Sequence, residues 1–350
     1  MKENVLLKNL TTIKTGGPAR YFSECSSTQD LKQALSFAKA KNLKVLVIGG
    51  GSNLLIADQG FDGVVIHLTS RKFSIDENGS VIADAGVNWD NLVEACCHKR
   101  LSGIEALSGI PGLVGATPIQ NVGAYGQEVS RVITKVEVLD QATLETRTFE
   151  GSDCQFAYRQ SRFKGVDLGK WIITAVTFQL YTSENPEPKY AELKTAVESD
   201  GRWMKAPRAE KILLIREHVL KIRSKKGMIL DASDPDTTSV GSFFMNPIVS
   251  SEVKDRIQAL AKTCNSPHSF AAHPSADGQW KLSAAWLIEN AGIKRGQTHG
   301  SARVSTKHVL ALTNPGGAST NEILALADLI VSQVDKKFGL RLEREPVLVL

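Results

Sequence analysis

The stretch K-V-L-V-I-G-G-G-S-N-L-L-I, residues 44–56, decides the fold prediction, because three consecutive glycines join two apolar runs. The first run, 44–48, is short and rich in β-branched residues, which predicts a buried strand. Upstream, Ser27 with an aspartate three residues later predicts the start of a helix. Downstream, the apolar run 64–66 predicts another strand. The N-terminal part of the chain is therefore predicted to form a βαβ-like unit that closes near residue 70.

The remaining sequence alternates helix and strand signals. Apolar spacing predicts helices at 89–99, 212–222, 252–262 and 282–290, and strands at 132–139 and 171–181. A further helix is predicted at 320–337, where Ser319 and Glu322 form a capping box and Gly339 follows the last turn. Polar loop residues become more frequent from about Lys226. These signals predict an α+β protein built from about three units.

Composition and charge exclude several classes of protein. The chain has 350 residues, of which 23% are charged, and 42 basic against 37 acidic residues give a net charge of +5. This composition excludes a disordered or collagen-like chain, and the scattered basic residues are typical of a solvated surface rather than a nucleic-acid site. The uncharged stretch 106–127 contains two prolines and five glycines, so it is not a membrane-spanning helix. Five cysteines without a CxxC pair, and an N-terminus without a signal peptide, predict a reduced cytoplasmic protein.

The glycine loop 49–53 is the first candidate binding site. A strand that runs into consecutive glycines presents backbone N–H groups to a ligand, which suits a pyrophosphate. The loop is not the Rossmann fingerprint, because Leu54 stands where the third glycine would be. It is not a P-loop either, because Lys170 of the only Gly-Lys pair is followed by Trp171. A plain tight turn remains the alternative.

A second glycine-rich segment, 108–126, is largely apolar and carries no charge. So many glycines cost conformational entropy on folding, which close backbone contact with a large flat ligand would offset. The alternative is a buried loop without a ligand, in which Gln120 and Asn121 need hydrogen-bond partners. Two glycine-rich segments in one chain favour a dinucleotide that is held largely by backbone groups.

The segment 241–247, G-S-F-F-M-N-P, is the third candidate. Ser242 is not a hydrolase nucleophile of the G-x-S-x-G type, because Val240 and Phe244 replace the two glycines. A hydroxyl beside aromatic residues suits proton donation in a site that excludes water. Composition alone favours the alternative, a strand that turns at the Asn-Pro pair.

One cluster of metal-ligating residue types lies between the helices predicted at 252–262 and 282–290. Its members are Cys264, His268 and His273. The cluster lacks a fourth ligand at a zinc-finger spacing, so these residues are interpreted as structural loop residues and no metal site is expected.

Five motifs occur in an order that resembles one enzyme family. They are TTIKTGGPA at 11–19, GGGSNLL at 49–55, SGIPGLVGATPIQNVGAYG at 108–126, YRQSRFK at 158–164 and GSFFMNP at 241–247. Together they resemble the UDP-N-acetylenolpyruvoylglucosamine reductases, flavoenzymes of peptidoglycan precursor synthesis, over essentially the whole chain. The resemblance implies an α+β fold: a two-part FAD-binding module of the vanillyl-alcohol-oxidase (PCMH-like) type and a third, substrate-binding α+β domain. The implied ranges are 1–70 and 71–226 for the module and 227–337 for the third domain, with 338–350 returning to the flavin site.

The resemblance also implies a cofactor and its contacts. FAD would be bound non-covalently, because neither glycine-rich loop contains histidine or cysteine, and NADPH would be the reductant. By matched motif position, the cofactor-binding residues are Gly50, Gly51, Ser52, Asn53, Gly112, Gly115, Ala116, Asn121, Gly123, Tyr125 and Arg223. The substrate-binding residues are Tyr190, Lys226, Asn246 and Asn290. Tyr190 matches the substrate-covering tyrosine of the family's longer form.

Three positions match the family's catalytic residues. They are Ser242 as the proton donor, Arg159 as the active-site arginine and Glu345 as the glutamate near the C-terminus. The proline expected before this glutamate is Arg344 here, so Glu343 remains an alternative. The implied reaction moves a hydride from flavin N5 to C3 of the enolpyruvyl group and a proton from Ser242 to C2, which gives UDP-N-acetylmuramate.

Two other functions are alternatives to the reductase. One is a related flavin oxidase that uses oxygen as the acceptor, and the other is a flavin-free protein that binds a UDP-sugar or nucleic acid. The two glycine-rich segments favour the reductase over the flavin-free protein. The expected partners are the enolpyruvyl sugar nucleotide and NADPH, with no nucleic acid and no membrane, and the chain is expected to act as a monomer in the cytoplasm.

Overall fold

A computed structural model describes residues 1–183, 185–264, 266, 269–275 and 278–350. His268, one member of the cluster considered for zinc, lies outside the described residues. Among the residues that are described, no group of three His, Cys, Asp or Glu side chains is placed to hold a metal ion. Within the same ranges, no helix has the length and apolar character needed to cross a membrane. The five cysteines are free thiols.

Helices and strands both occur along the chain, which confirms the α+β prediction. The helices are α1 Thr28–Ala40, α2 Trp89–His98, α3 Ala191–Glu198, α4 Arg208–Lys225, α5 Ser251–Ala261, α6 Ala284–Asn290 and α7 Thr320–Phe338. The strands of the N-terminal half are β1 Lys2–Leu6, β2 Pro18–Cys25, β3 Lys44–Ile48, β4 Leu54–Ile56, β5 Phe61–Leu68, β6 Phe73–Ile75, β7 Ser80–Asp84, β8 Gly123–Ala124, β9 Gln127–Glu128, β10 Ile133–Asp140, β11 Thr146–Glu150 and β12 Trp171–Gln179. Those of the C-terminal half are β13 Ser239–Ser242, β14 Ile248–Val249, β15 Ala272–Pro274, β16 Trp280–Leu282, β17 Thr298–His299, β18 Ala302–Val304, β19 Ala311–Thr313 and β20 Val347–Val349.

Helix ends with strong local signals lie where the sequence predicts them. α7 has the predicted capping box, in which the Ser319 hydroxyl accepts the N–H of Glu322, and it ends at Gly339 with φ +58°. α4 is longer than the predicted 212–222, because it begins directly after Pro207 and continues to Lys225. The apolar pattern underestimates the helix at both ends, because residues 208–211 and 223–225 are mostly polar or charged.

The chain forms two compact units, of which the first comprises 1–5, 19–51 and 62–229. One sheet of this unit has the order β1-β2-β5-β3, with β3 parallel to β5, and the apolar side of α1 packs on it. The other sheet, in the order β11-β10-β12-β7-β6, is antiparallel, and it packs with α2 around Trp89 and Phe178. α3 and α4 share a smaller core around Leu193 and Val219.

The second unit comprises 6–18, 52–61 and 230–350. It holds an antiparallel sheet in the order β13-β19-β18-β17, a three-stranded sheet in the order β14-β16-β15, and the pair β20-β4. β20 runs parallel to β4, with Leu348 opposite Leu55. The buried stripe of α7 packs into the core of this unit through Ile323, Leu326 and Ile330. The unit therefore combines the C-terminal third of the chain with two short N-terminal segments.

Candidate active site

The two glycine-rich segments contact each other in the first unit. A Cβ atom built on Gly50 would lie 2.9 Å from Cα of Gly112, so a side chain at Gly50 would collide with backbone. The carbonyl of Gly112 accepts the N–H of Trp89 at 3.1 Å, and the N–H of Gly115 donates to the carbonyl of Ala85 at 2.9 Å. The structure thus brings together the two segments that the sequence analysis assigns to one dinucleotide.

Part of the glycine content is explained by packing within the chain. A Cβ on Gly115 would lie 2.5 Å from Cβ of Ala85, and one on Gly123 would lie 2.8 Å from the carbonyl oxygen of Gln127. These two positions exclude a side chain with or without a ligand. Glycine at these positions is therefore explained by packing and is weak evidence for a ligand.

Asn121 joins the second glycine-rich segment to the segment that carries Arg159. The Asn121 side chain is buried, its oxygen accepts the N–H of Ser130 at 3.1 Å, and its amide nitrogen donates to the carbonyl of Ala157 at 3.1 Å. The hydroxyl of Ser161 donates to the carbonyl of Ile119 at 2.6 Å. The buried amide identified in the sequence therefore has its partners inside the protein.

Arg159 lies beside Gly123, one of the predicted cofactor-binding residues. Its guanidinium NH2 donates to the Gly123 carbonyl at 2.9 Å, and its own carbonyl accepts a hydrogen bond from Lys164 Nζ at 3.1 Å. The backbone of Arg159 has φ +53°, which is uncommon for a residue with a long side chain. Such a conformation persists only where surrounding contacts impose it, and it is found often at functional sites.

Arg223 and Tyr125 form a buried polar group near the end of α4. Arg223 NH2 donates to the carbonyl of Met228 at 2.9 Å, while its buried Nε has no hydrogen-bond partner among the described residues. Burial is the largest influence on Arg223 and lowers its pKa. Burial also raises the pKa of Tyr125 to about 12, so the Tyr125 hydroxyl keeps its proton at neutral pH. A guanidinium is not deprotonated in proteins, so Arg223 carries a positive charge. Arg223 is therefore a cation with one donor that no acceptor of the described residues contacts.

Tyr190 and Lys226 lie beside Tyr125 in the first unit. The rings of Tyr125 and Tyr190 meet edge to face with centroids 5.6 Å apart, and Lys226 Nζ lies 6.0 Å from the Tyr125 ring centre. Lys226 also forms an ion pair with Glu192 at 2.6 Å. The structure thus brings the two predicted substrate-binding residues to one place. Glu192 was missed by sequence reasoning, since its partner is 34 residues away and no local signal links the two.

Ser242 ends β13 in the second unit, between a glycine with positive φ and two buried aromatic residues. Gly241 has φ +73°, and Phe243 and Phe244 are 0% and 1% exposed. The N–H of Phe243 donates to the carbonyl of Leu310 at 2.7 Å. The half-buried Ser242 is therefore held at the edge of an apolar core, as expected for a hydroxyl in a site that restricts water.

Glu345 is held beside the Ser242 segment by main-chain hydrogen bonds. The N–H of Glu345 donates to the carbonyl of Phe243 at 2.9 Å, and Met245 N–H donates to the carbonyl of Glu343 at 2.9 Å. Glu345 is half-buried, whereas Glu343 is exposed. The structure therefore brings Glu345 and Ser242 together on adjacent segments of one unit, which favours Glu345 over the alternative.

Asn53 adds a third segment to this part of the second unit. Its amide nitrogen donates to the Glu345 carbonyl at 3.4 Å, and its own carbonyl accepts the N–H of Val347 at 2.9 Å. These bonds lie where β20 begins to pair with β4. A predicted cofactor-binding residue and the predicted catalytic glutamate are thus joined directly.

The two predicted substrate-binding asparagines of the second unit hold the ends of α6. The Asn246 side-chain oxygen accepts the N–H of Ala284 at 2.9 Å, at the start of this helix. The Asn290 amide donates to the carbonyl of Trp286 at 2.8 Å and to the Ser266 hydroxyl at 3.3 Å. Both side chains therefore have a structural role at the ends of this helix.

Three further predicted cofactor-binding residues lie in loops. They are Gly51, which is buried with φ +61°, Ser52, which is half-buried, and Ala116, which is exposed at the end of a short 3-10 turn, Val114–Ala116.

The residues of the first unit fit an FAD molecule. The contact of Gly50 with Gly112 brings two stretches of bare backbone together, which suits N–H contacts to a pyrophosphate. The buried Nε of Arg223 provides a cationic donor that is left for a ligand oxygen. Buried polar atoms normally have a partner, so the open donor points to a bound group.

Comparisons with known proteins agree with this fit. Residues 19–148 match the family described as FAD binding domain, and residues 234–349 match the family described as UDP-N-acetylenolpyruvoylglucosamine reductase, C-terminal domain. The UDP-N-acetylenolpyruvoylglucosamine reductase of Thermobifida fusca (strain YX) is 45% identical over 352 residues, covering 99% of this chain and 97% of the relative. The enzyme of Nocardia farcinica (strain IFM 10152) is 42% identical over 352 residues, covering 100% of this chain and 90% of the relative.

A solved structure extends the comparison to the fold. The crystal structure of UDP-N-acetylenolpyruvylglucosamine reductase from Thermus caldophilus has a TM-score of 0.67 and 25% sequence identity, and the match covers 99% of this chain and 98% of that chain. The fold match includes both the FAD-binding part and the C-terminal part. On these sequence and structural matches, the chain belongs to the UDP-N-acetylenolpyruvoylglucosamine reductase family and is an FAD-dependent oxidoreductase.

Proposed function

We propose that this enzyme uses NADPH to reduce UDP-N-acetylenolpyruvoylglucosamine to UDP-N-acetylmuramate, with Ser242, Arg159 and Glu345 as catalytic residues. The single observation that carries the proposal is the pairing of the Ser242 and Glu345 segments in the second unit. When bound, FAD would supply the two-electron redox chemistry that links NADPH to reduction of the enolpyruvyl group at C3. The protein must then supply one proton at C2 and stabilise the negative charge that develops on the substrate.

Ser242 is proposed to supply that proton from its hydroxyl to C2. Proton donation by a positioned side chain contributes about 10²- to 10⁴-fold to a rate. The buried Phe243 and Phe244 beside it limit the access of water, which would otherwise compete as a proton source. The serine is left as an alkoxide equivalent and is reprotonated from solvent before the next turnover.

Arg159 and Glu345 are proposed to act on the substrate carboxylate, where charge collects as C3 accepts the hydride. A guanidinium offers two parallel N–H donors to a carboxylate, and such donors stabilise developing charge most strongly in a site with little water. Arg159 already uses one NH2 donor on the Gly123 carbonyl, which fixes the orientation of its guanidinium plane. Glu345 in its protonated form would donate a further hydrogen bond to the same carboxylate.

The remaining predicted residues are proposed to bind FAD and the two anionic substrates. FAD is held non-covalently, with its pyrophosphate at the backbone of Gly50, Gly51, Ser52 and Asn53. Further flavin contacts come from Gly112, Gly115, Ala116, Asn121, Gly123, Tyr125 and Arg223. Lys226 and Tyr190 bind phosphate groups of the substrates, and Asn246 and Asn290 make polar contacts to them. Residues 1–70 and 71–226 are the two parts of the FAD module, 227–337 bind substrate, and 338–350 return to the flavin. The enzyme is proposed to act as a cytoplasmic monomer in cell-wall precursor synthesis.

The test is an anaerobic absorption spectrum of the purified holoenzyme. One equivalent of NADPH should bleach the flavin bands, and subsequent addition of the enolpyruvyl sugar nucleotide should restore them. Ser242→Ala should bleach normally and recover at least about 10²-fold more slowly. Recovery only with oxygen would indicate an oxidase, and a Ser242→Ala variant with both steps intact would remove Ser242 from the proton-donor role.

A further inference from the structure

A bidentate ion pair in the first unit joins α2 to α4. Asp90 Oδ1 and Oδ2 accept hydrogen bonds from Arg216 NH1 at 2.6 Å and NH2 at 3.0 Å. Arg216 is 8% exposed, so its charge is largely removed from water. The Asp90 side chain is 32% exposed, so the ion pair is partly buried, and desolvation offsets part of its attraction. Stabilisation of the fold alone is therefore a weak reason for the Asp90–Arg216 pair.

Asp90 has a second contact that the helices do not need. Its Oδ1 also accepts the N–H of Gly109 at 2.6 Å, and Gly109 is the first glycine of the segment 108–126. Gly109 has φ +70°, and a Cβ built on it would lie 2.9 Å from Leu220 and 3.4 Å from Nε of Arg223. Asp90 therefore holds the backbone at the place where the glycine-rich segment contacts the buried arginine.

The charges of Asp90 and Arg223 also affect each other. Burial acts to raise the pKa of Asp90, but the hydrogen bonds from Arg216 and Gly109 and the charges of Arg216 and Arg223 hold it below its ordinary value. Asp90 is therefore ionised at neutral pH. Burial lowers the pKa of Arg223, and the charge of Asp90 acts in the opposite direction. Asp90 thus partly balances a buried cation that has an open donor.

We infer that Asp90 is a positioning residue of the flavin site, which fixes the glycine-rich segment through Gly109 and balances the charge of Arg223. The inference rests on the proposed contacts of FAD with Arg223 and the segment 108–126. Asp90 itself is not placed in contact with FAD or substrate. The competing explanation is that the ion pair only holds α2 against α4.

Two substitutions of Asp90 separate these explanations. Asp90→Asn keeps a side-chain oxygen that can accept the Gly109 N–H, but it removes the charge. Asp90→Ala removes both. The matched control is Glu94→Gln. Glu94 is on α2 with Asp90, and its Oε1 lies 3.4 Å from NH2 of the same arginine, Arg216. No Glu94–Gly109 hydrogen bond occurs among the described residues. Glu94 is more than half exposed, so its charge acts weakly at a distance.

The measurements are the dissociation constant of FAD for the apoprotein and the reduction potential of the bound flavin. Asp90→Ala should weaken FAD binding about 10- to 100-fold, as expected when a hydrogen bond to a charged group is lost. Asp90→Asn should bind FAD within about 3-fold of the wild type, a smaller effect because the neutral acceptor is retained. Its flavin potential should shift upward, because removing a negative charge near the proposed FAD site makes the addition of electrons to bound flavin more favourable. Glu94→Gln should change neither quantity.

The outcomes distinguish this inference from the proposed function. If the wild-type apoprotein binds no FAD, the proposed FAD contacts are wrong and the inference fails with them. If the wild type binds FAD but Asp90→Ala matches Glu94→Gln in affinity, or the Asp90→Asn potential equals that of the wild type, the inference alone is overturned. Should Asp90→Ala not fold, the potential of Asp90→Asn decides by itself, because a purely structural ion pair would leave that potential unchanged.

Discussion

The ion pair between Glu192 and Lys226 is a contact that we expect the phosphate groups of both substrates to displace. Glu192 lies in the first turn of α3 and Lys226 caps the end of α4, with 2.6 Å between the carboxylate oxygen and Nζ. If Lys226 binds substrate phosphate as proposed, the Glu192 carboxylate competes with that phosphate for the Lys226 ammonium group. Glu192→Gln should therefore lower the KM for NADPH and for the enolpyruvyl sugar nucleotide.

The size of this effect follows from the exposure of the pair. The Lys226 and Glu192 side chains are 29% and 44% exposed, so solvent screens their attraction. Ion pairs of this kind contribute about 0.2–1 kcal/mol. Removing the competing carboxylate should lower each KM by about 1.5- to 5-fold, since 1.4 kcal/mol corresponds to a factor of ten. The value of kcat should stay within about 2-fold, because the interaction is the same in the ground state and the transition state.

The assay is steady-state kinetics at low ionic strength with both substrates varied. Lys226→Ala should raise both KM values, and in a Lys226→Ala background Glu192→Gln should have no further effect. The matched control is Glu198→Gln, on the same helix, where Glu198 pairs with Lys194 at 3.9 Å on the surface. Unchanged KM values in Glu192→Gln together with raised values in Lys226→Ala would show that Glu192 does not compete with substrate. Unchanged values in Lys226→Ala would refute the phosphate role of Lys226 itself.

The other predictions concern catalysis and stability. Ser242→Ala should slow reoxidation of the flavin by the sugar nucleotide about 10²- to 10⁴-fold and leave NADPH-driven reduction unchanged in stopped-flow absorption. Asp236 is buried and paired with Arg303 at 2.9 Å, so Asp236→Asn should cost about 3 kcal/mol in the free energy of unfolding at pH 7, measured by urea titration. Burial acts to raise the pKa of Asp236, but the Thr306 hydrogen bonds and Arg303 hold it below the ordinary 3.8. The ionised Asp236 therefore stabilises the folded state fully above pH 3.8, and this stabilisation is lost as the pH falls through the folded-state pKa. The difference in unfolding free energy between Asp236→Asn and the wild type should accordingly shrink below about pH 4. Ser319→Ala should lower the free energy of unfolding by about 1 kcal/mol, because the N-cap of α7 loses its hydroxyl acceptor.

Features with a local cause were predictable from the sequence. The capping box of α7 and the Ser27 cap of α1 depend on residues three positions apart, and both occur as expected. The ends of α4 were not predictable from its apolar spacing, because residues 208–211 and 223–225 are mostly polar or charged. Within the helix, the buried Arg216 interrupts the apolar spacing and pairs with Asp90, 126 residues away. The spacing of apolar residues predicts the buried side of a helix, but it does not predict which charged residues form ion pairs in the folded chain.

The grouping of chain segments was also beyond local signals. Segments 6–18 and 52–61 belong to the same compact unit as residues 230–350. The hydrogen bond from Asn314 to the carbonyl of Ile13, at 3.0 Å, joins positions 301 residues apart inside this unit. Such contacts form only in the complete fold. Local sequence patterns therefore assign segments 6–18 and 52–61 to the N-terminal unit, together with the residues next to them in the chain.

The glutamate near the C-terminus shows how the structure narrows a choice that motif matching leaves open. Matching the motif from Gly339 places the role on Glu345, but Arg344 stands where the family has proline, so Glu343 remains an alternative. In the folded chain, Arg344 forms a β-bridge with Phe244, and the bonds on either side of it join Met245 to Glu343 and Phe243 to Glu345. The bond of Glu345 is therefore the one made to the residue that directly follows Ser242, whereas Glu343 is exposed. Proximity along a paired strand, rather than the motif, is the physical reason to assign the carboxyl role to Glu345.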